Sequence, residues 1–249
     1  MINISVVIVT KNGEKTIKKA LESVIDFKEV LVVIDSSSND INNMREIISK
    51  YKNTIIFEKD FLNFSQIKNF WINKASCEYI LVLDDDEFLS DSLQIYFKNT
   101  SLTKLWYNIF FHEYMWWQYN KYATWGSYHL RLVKKWINYT WDVHESFNIN
   151  KEDIGKIPSK NYIFHYSHTT IEKTLNKFNY YTNMESTKYD NIFILYCLLI
   201  ILPIYQFLLK YIIKMWFIEW WNWFISSIYR GIYEFIKYSK IIEKKNKKS

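Results

Sequence analysis

Between residues 4 and 87, short apolar runs alternate with stretches patterned at helical spacing, and three of the runs end in polar clusters. Ile4-Ser-Val-Val-Ile-Val9 is a β-branched run bounded by Lys11-Asn12-Gly13, which predicts a buried strand. Ile17, Ala20, Leu21 and Val24 follow at i, i+3, i+4 and i+7, the stripe of an amphipathic helix. Val30 to Ile34 predicts a second strand, closed by Asp35-Ser36-Ser37-Ser38-Asn39-Asp40. Ile41, Met44, Ile48 and Tyr51 mark a helix, and Thr54 to Phe57 a short strand. Ser65 can cap a further helix carrying Ile67, Phe70 and Trp71. Tyr79 to Leu83 predicts another buried strand, ending in Asp84-Asp85-Asp86-Glu87. This alternation predicts right-handed βαβ units: an α/β fold with a mostly parallel sheet and flanking helices. Such sheets bind ligands outside the carboxyl ends of their strands. Thr10–Asn12, Asp35–Asp40 and Asp84–Glu87 all fall there.

Composition narrows the class. Of 249 residues, 49% are hydrophobic and 23% charged, which excludes a wholly disordered chain. Six Gly and Pro in total exclude collagen-like and Pro-rich architectures. Cys77 and Cys197 cannot build a disulfide framework and suggest thiols in a reducing compartment. Met1 to Thr10 has no basic leader or small-residue cleavage site, so it reads as a strand and not a signal peptide. Aromatic residues reach 19%, with 11 Trp, and crowd into the second half. A sugar-binding cleft or a membrane interface uses such side chains.

The pattern changes after Ser90. Residues 105–125 are dense in aromatics without a clean period, which predicts short strands and loops over a cleft. Of Trp106, Trp116, Trp117 and Trp125, most are expected to fill core and some could stack on sugar. Residues 169–189 predict a helix with Ile171, Leu175 and Phe178 inward. Residues 192–209 are almost wholly apolar, and 210–242 are helical and aromatic. The expected division is 1–168 for the sheet domain and 169–249 for a helical region.

That helical region invites a membrane reading. Much of the net charge of +6 sits at Lys237, Lys240, Lys244, Lys245, Lys247 and Lys248, directly after the apolar segment. An anionic membrane surface suits this better than nucleic acid, for which no binding module is visible. Residues 192–209 could just span a bilayer. A single crossing would separate the sheet domain from its basic tail. A second, through 211–236, would bury Lys214, Glu219, Arg230 and Glu234, at about 2.5–3.5 kcal/mol for a Lys or Arg at a helix centre. An in-plane helix, with Trp216, Trp220, Trp221 and Trp223 at the interface, avoids both. The alternative is a buried helical hairpin or a dimer contact.

Asp84-Asp85-Asp86-Glu87 carries the sharpest chemistry. Four adjacent acids repel one another, and a divalent cation relieves the repulsion. Hard oxygen ligands at i and i+2, Asp84 and Asp86, suit Mg²⁺ or Mn²⁺ holding a diphosphate. The plain alternative is a solvated acidic turn.

The ordered set resembles the family 2 glycosyltransferases: Ile4 to Asn12, Val33-Ile-Asp35-Ser-Ser-Ser38-Asn-Asp40, Gln66-Ile-Lys68-Asn69 and Leu83-Asp-Asp-Asp-Glu87. Arg131-Leu-Val-Lys and Val143-His-Glu145 resemble the downstream motifs of its lipopolysaccharide-core branch, and Pro203 to Glu243 its membrane-apposed helical tail. The resemblance implies a GT-A (Rossmann-like) fold and inverting transfer from a nucleotide-diphospho sugar. Carried over by position, it places Thr10 near the nucleobase and Asp35 as an acceptor from the base ring. Lys68 falls by the base or phosphates, Asp84 by the ribose, Asp86 by the metal, and Glu87 behind the acidic loop or at the acceptor. Asp85, in the same donor loop, stands where the family usually has a small residue.

Inversion by single displacement needs one base on the acceptor side. Glu145 is the candidate, by resemblance, with Asp142 competing. His144 could orient it, approach the metal or bind phosphate, or be a satisfied structural histidine. Arg131 could pair with a diphosphate, pair with Glu87, or form a surface ion pair. His165 and His168, at i and i+3, could form a zinc pair, but a structural or phosphate-facing role fits better.

The expected activity is therefore metal-dependent transfer of a sugar, with a UDP-hexose donor and a membrane-associated acceptor such as lipopolysaccharide core. The expected place is the cytoplasmic face of the plasma (inner) membrane, peripheral or monotopic, and a homo-oligomer is possible. Rivals are transfer to polyprenyl phosphate, nucleotidyl transfer, and a non-catalytic membrane adaptor that keeps a sugar-nucleotide fold.

Overall fold

A computed structural model describes residues 1–60, 74–115, 118–119, 127–135, 151–168, 170–185, 189, 191–213 and 221–247. The helix expected at 65–71, Lys68, Asp142, His144, Glu145, Trp116, Trp117 and Trp125 lie outside the described residues. The chain divides into two compact units, Met1–Glu113 with Gly126–Ser167, and Tyr114–Trp125 with His168–Ser249.

The first unit is built on a mixed sheet. Strands β1 (Ile2–Thr10), β2 (Phe27–Asp35), β3 (Thr54–Lys59) and β4 (Tyr79–Asp84) lie in the order β3-β2-β1-β4, all parallel. Between them run helices α1 (Ile17–Ser23) and α2 (Ile41–Ser49). This is the βαβ part that the apolar rhythm predicts. Beyond β4 the sheet turns antiparallel, through β8 (Tyr128–Lys134), β6 (Trp106–Met115), β10 (Tyr162–His168) and β5 (Glu87–Leu89). A further helix, α3 (Asp91–Asn99), follows β5. The short β9 (Ile154–Lys156) runs parallel to β6, and β7 (Gln118–Tyr119) pairs with Tyr114 and Met115.

Period-two alternation divides the strand side chains between two cores. Val6, Ile8, Val30, Val32, Leu81 and Leu83 pack with Ile17, Leu21, Met44 and Ile48 of α1 and α2. Val7, Val9, Leu31, Val33, Ile80, Val82, Trp106 and Val133 form the other. Burial on both faces explains why these strands read as unbroken apolar runs. Trp106 fills core, as expected for most of the tryptophans. Asp40 accepts from the Asn43 N–H at 3.0 Å and caps α2, and Ser90 caps α3.

In the second unit, α4 (Ile171–Met184) is capped by Thr170. Helix α5 (Ile192–Leu208) runs into a π-helical turn, Leu209–Ile213, and α6 spans Trp221–Asn246. Leu195 is fully buried against Tyr238, Ile241 and Ile242, so α5 and α6 pack together. A Cβ at Gly231 would lie 3.0 Å from the Pro203 carbonyl oxygen, which keeps this close crossing for glycine. Leu198, Leu199 and Leu202 pack beside this cluster, while another face of α5 is open: Phe193 is 72% exposed and Ile200 64%. Among the described residues, Ile192–Ile212 is long and apolar enough to cross a membrane.

The basic tail does not present its lysines as a free stripe. Lys240 donates to the Asn179 carbonyl and Thr182 hydroxyl, both at 2.9 Å, Lys244 to the Asn183 carbonyl at 2.7 Å, and Lys245 to the Tyr189 carbonyl at 3.1 Å. Lys237 pairs with Glu185 at 2.7 Å. The last carbonyls of α4 lack helical donors and carry partial negative charge, and the Lys244 ammonium supplies one of them, that of Asn183, with a donor.

Candidate active site

The site grows from three strand ends. At the end of β1, Thr10 is buried and donates its hydroxyl to Asp85. Asn12 adopts a left-handed conformation, φ 56°, which Asn tolerates better than most residues. Its side-chain oxygen accepts from the Asn39 N–H at 2.7 Å, tying the loop after β1 to the loop after β2. A Cβ at Gly13 would overlap the Asp85 carboxylate and the Thr10 hydroxyl, so only glycine fits there.

At the end of β2, Asp35 is 3% exposed. Its Oδ1 accepts from the Ser37 N–H at 2.8 Å and the Ser37 hydroxyl at 2.7 Å, and its Oδ2 lies 3.3 Å from Lys11 Nζ. Burial disfavours the charge, but these partners hold the carboxyl below its usual range. Asp35 is thus engaged by its own loop and by Lys11.

After β4, the chain turns through the acidic run. Glu87 is completely buried. It accepts from the Asp84 N–H at 3.1 Å and from Arg131 Nη2, which also lies 3.2 Å from Asp84 Oδ2. Arg131 stands over the Phe111 ring, 5.2 Å from its centroid. Burial pushes Glu87 up to about 8, with the guanidinium opposing it. Burial also lifts Asp85, to about 7, helped by Asp86 and Asp84 and opposed by Thr10 and the Lys11 amide. The Tyr166 N–H donates to the Asp86 carbonyl at 2.8 Å, pinning the turn to β10.

One more pair faces this turn. His165 on β10 places Nε2 3.5 Å from Asp86 Oδ1 and Nδ1 3.0 Å from Glu113 Oε2 on β6. Burial disfavours the imidazolium, but Glu113, then Asp86 and Glu87, hold the histidine above its ordinary pKa.

The structure therefore brings Thr10, Asp84, Asp85, Asp86, Glu87 and Arg131 together, with Asp35 at a neighbouring strand end. Glu113 had no signal in the sequence. It lies in an aromatic-rich stretch without clear period, and its partner is 52 residues away. His165 was marked only through its spacing from His168.

A divalent cation is compatible with this donor set. No group of three or more His, Cys, Asp or Glu forms a metal cage among the described residues. Mg²⁺, however, commonly takes one or two carboxylates and completes its shell with substrate phosphates and water. Asp84 and Asp86, two residues apart on one acidic turn, offer that kind of partial site.

The match of a family model decides the affiliation: glycosyl transferase family 2 fits residues 5–156, more than half of the chain. The chain belongs to glycosyltransferase family 2. A Rickettsia typhi protein named as an uncharacterized glycosyltransferase is 28% identical over 264 residues, covering 98% of this chain and 88% of the relative. A similarly named Rickettsia prowazekii protein is 26% identical, over 97% and 87%. Among solved structures, TarS 1–349 of S. aureus gives a TM-score of 0.41 at 13% identity, covering 99% of this family 2 chain and 92% of TarS. The same protein in complex with UDP-GlcNAc gives 0.33 at 21% identity, over 45% of this chain and 34% of that one. The family assignment rests on the sequence model and not on these weak structural likenesses.

Proposed function

We propose that this family 2 enzyme is a metal-dependent inverting glycosyltransferase that uses a nucleotide-diphospho sugar, with a UDP-hexose as its donor. The observation that carries the reading is the convergence of Thr10, the Asp84–Glu87 turn and Arg131 where the parallel half of the sheet meets the antiparallel half. Thr10 and the acidic turn stand at the carboxyl ends of the neighbouring parallel strands β1 and β4, where the strand order reverses, and open α/β sheets bind ligands at such a point.

In this reading, Thr10 and Asp35 border the nucleoside, joined by Lys68 from the sequence motif. Asp84 and Asp86 would hold Mg²⁺ or Mn²⁺, which would offset the charge of the departing diphosphate. Arg131 is poised to exchange part of its carboxylate contact for a phosphate oxygen, since guanidinium binds both bidentately. Glu87, buried behind it, fixes that guanidinium. Glu145, by its motif, takes the proton from the acceptor hydroxyl as it attacks the anomeric carbon, and His144 orients it. The reaction breaks the bond between the anomeric carbon and the diphosphate oxygen, forms a new glycosidic bond and inverts the centre.

Residues 1–168 are read as the catalytic part and 169–249 as the attachment to a membrane. The wide exposed apolar face of α5 supports that attachment. A monotopic position on the cytoplasmic leaflet keeps the site beside cytosolic nucleotide sugar and gives it a membrane-associated glycan, such as lipopolysaccharide core, as acceptor.

The test is release of nucleoside diphosphate from a panel of nucleotide sugars, with Mg²⁺ or Mn²⁺ and a glycolipid acceptor. Turnover of one donor, abolished by chelation and by Asp86→Asn, supports the donor site. Glu145→Gln should bind donor normally and fail to transfer. Full activity in chelator would overturn the metal assignment.

A further inference from the structure

Glu113 is a carboxylate with no part in the mechanism above. It lies on β6 beside His165 of β10, its two oxygens 3.0 and 3.2 Å from His165 Nδ1. The opposite ring nitrogen, Nε2, points at Asp86 Oδ1, 3.5 Å away. β10 pairs His165 with Glu87, which sets the ring on the face that carries the acidic turn. The Phe111 ring stands at 83° to the imidazole with centroids 5.8 Å apart and limits its tilt.

We infer that Glu113 is a positioning residue: it accepts from Nδ1–H of His165 and so turns Nε2 toward the Asp86 end of the donor site. The inference rests on the donor-site reading above. An imidazole has two edges and three common protonation patterns, and a carboxylate on one nitrogen selects among them. With Nδ1–H held by Glu113, the ring keeps its Nε2 edge turned toward Asp86. Without Glu113, the ring can flip about χ2 or take the other tautomer, and the edge presented to the donor is no longer defined. Carboxylates behind metal-ligating histidines act in this way, and their loss typically costs about 10–100-fold in metal affinity or activity.

The experiment uses the full chain with Mg²⁺ and whichever of UDP, GDP or CDP the wild type binds most tightly. Binding is measured by calorimetry for Glu113→Ala, Glu113→Gln, His165→Ala and the Glu113→Ala/His165→Ala double variant. Glu113→Ala should weaken binding about 10-fold. Glu113→Gln, whose amide oxygen can still accept from Nδ1–H, should stay within about 3-fold. In the His165→Ala background, Glu113→Ala should add nothing, because the two act as one unit. Ring ¹⁵N spectra at a pH where histidine is neutral should show Nδ1–H for His165 in the wild type and Glu113→Gln. A mixed or reversed tautomer is expected in Glu113→Ala. An effect of Glu113→Ala that persists without His165, or an unchanged His165 tautomer, would overturn the inference. If the wild type binds no nucleotide, the donor-site reading fails, and the ¹⁵N spectra alone decide whether Glu113 orients the ring.

Discussion

Arg131 reaches a carboxylate, Glu87, that is wholly removed from solvent, while the same Nη2 lies 3.2 Å from the partly exposed Asp84. One guanidinium thus joins a core anchor to the acidic turn. Removing one member of a buried ion pair strands the other and is strongly destabilising, by about 3–5 kcal/mol. Above about pH 8, where the raised Glu87 carboxyl ionises, Arg131→Leu should therefore lower the urea midpoint sharply, by at least about 3 kcal/mol of stability. Glu87→Gln keeps a polar partner for Arg131 and should be milder. A fall of under about 1 kcal/mol for Arg131→Leu would show that Glu87 is protonated or solvated in the native protein.

Asp85 predicts how stability depends on pH. Its folded pKa, about 7, lies above the ordinary value of 3.8, so the native state disfavours its charge. The sign follows from proton linkage. Stability from this group is complete below about pH 4 and is lost as pH rises through about 7, once the carboxylate must ionise beside Asp84 and Asp86. In metal-free buffer, Asp85→Asn should remove that loss, because an amide does not ionise and its oxygen can still accept from Thr10. The check is urea unfolding of both proteins at intervals across pH 4–8. Parallel profiles for the two would refute the assignment.

These residues also show what the sequence made legible. The parallel half was readable because each buried strand is a continuous apolar run ending in polar residues, as at Val9-Thr10 and Leu83-Asp84. The acidic turn was readable because four adjacent acids have no ordinary structural use. The pairing of Glu113 with His165 was not, because it depends on strand order in the antiparallel half, which no local pattern encodes. Asp35 was marked, but not its capture by Ser37 and Lys11, because side-chain torsions decide that. The lysine-rich tail reads in the sequence as suited to an anionic membrane surface. Composition gives the charge of Lys240 and Lys244 but not the α4 carbonyls that meet them.

Gly13 offers a test of how tightly the loop after β1 is built. Its missing side chain is what lets Asp85 and Thr10 close over the loop. Gly13→Ala must displace one of them, and neither is the free end of a flexible side chain. The expected cost is about 1–3 kcal/mol, the range for overpacking a well-packed site. Nucleotide binding should weaken as well, since Thr10 moves. Gly13→Ala combined with Asp85→Ala should recover part of the stability, because the overlapping carboxylate is gone. Failure of that rescue would locate the damage in the backbone.

The last prediction separates the two possible uses of the basic tail. If Lys240 serves α4, then Lys240→Met, which keeps the aliphatic stem, should remove its bonds to Asn179 and Thr182 and fray the last turn of α4. Hydrogen bonds from charged groups are worth about 1.5–3 kcal/mol, and partial exposure favours the low end. Hydrogen exchange should quicken in the last turn of α4 and leave the sheet unit unchanged. Binding to phosphatidylcholine vesicles, which offer no net charge, should survive both this variant and about 0.5 M salt, where the Debye length falls below 5 Å. The exposed apolar face of α5 would then carry the attachment. If instead α4 exchanges normally while binding requires anionic lipid and disappears in salt, the lysines face the headgroups in the bound protein and their contacts with α4 break on docking.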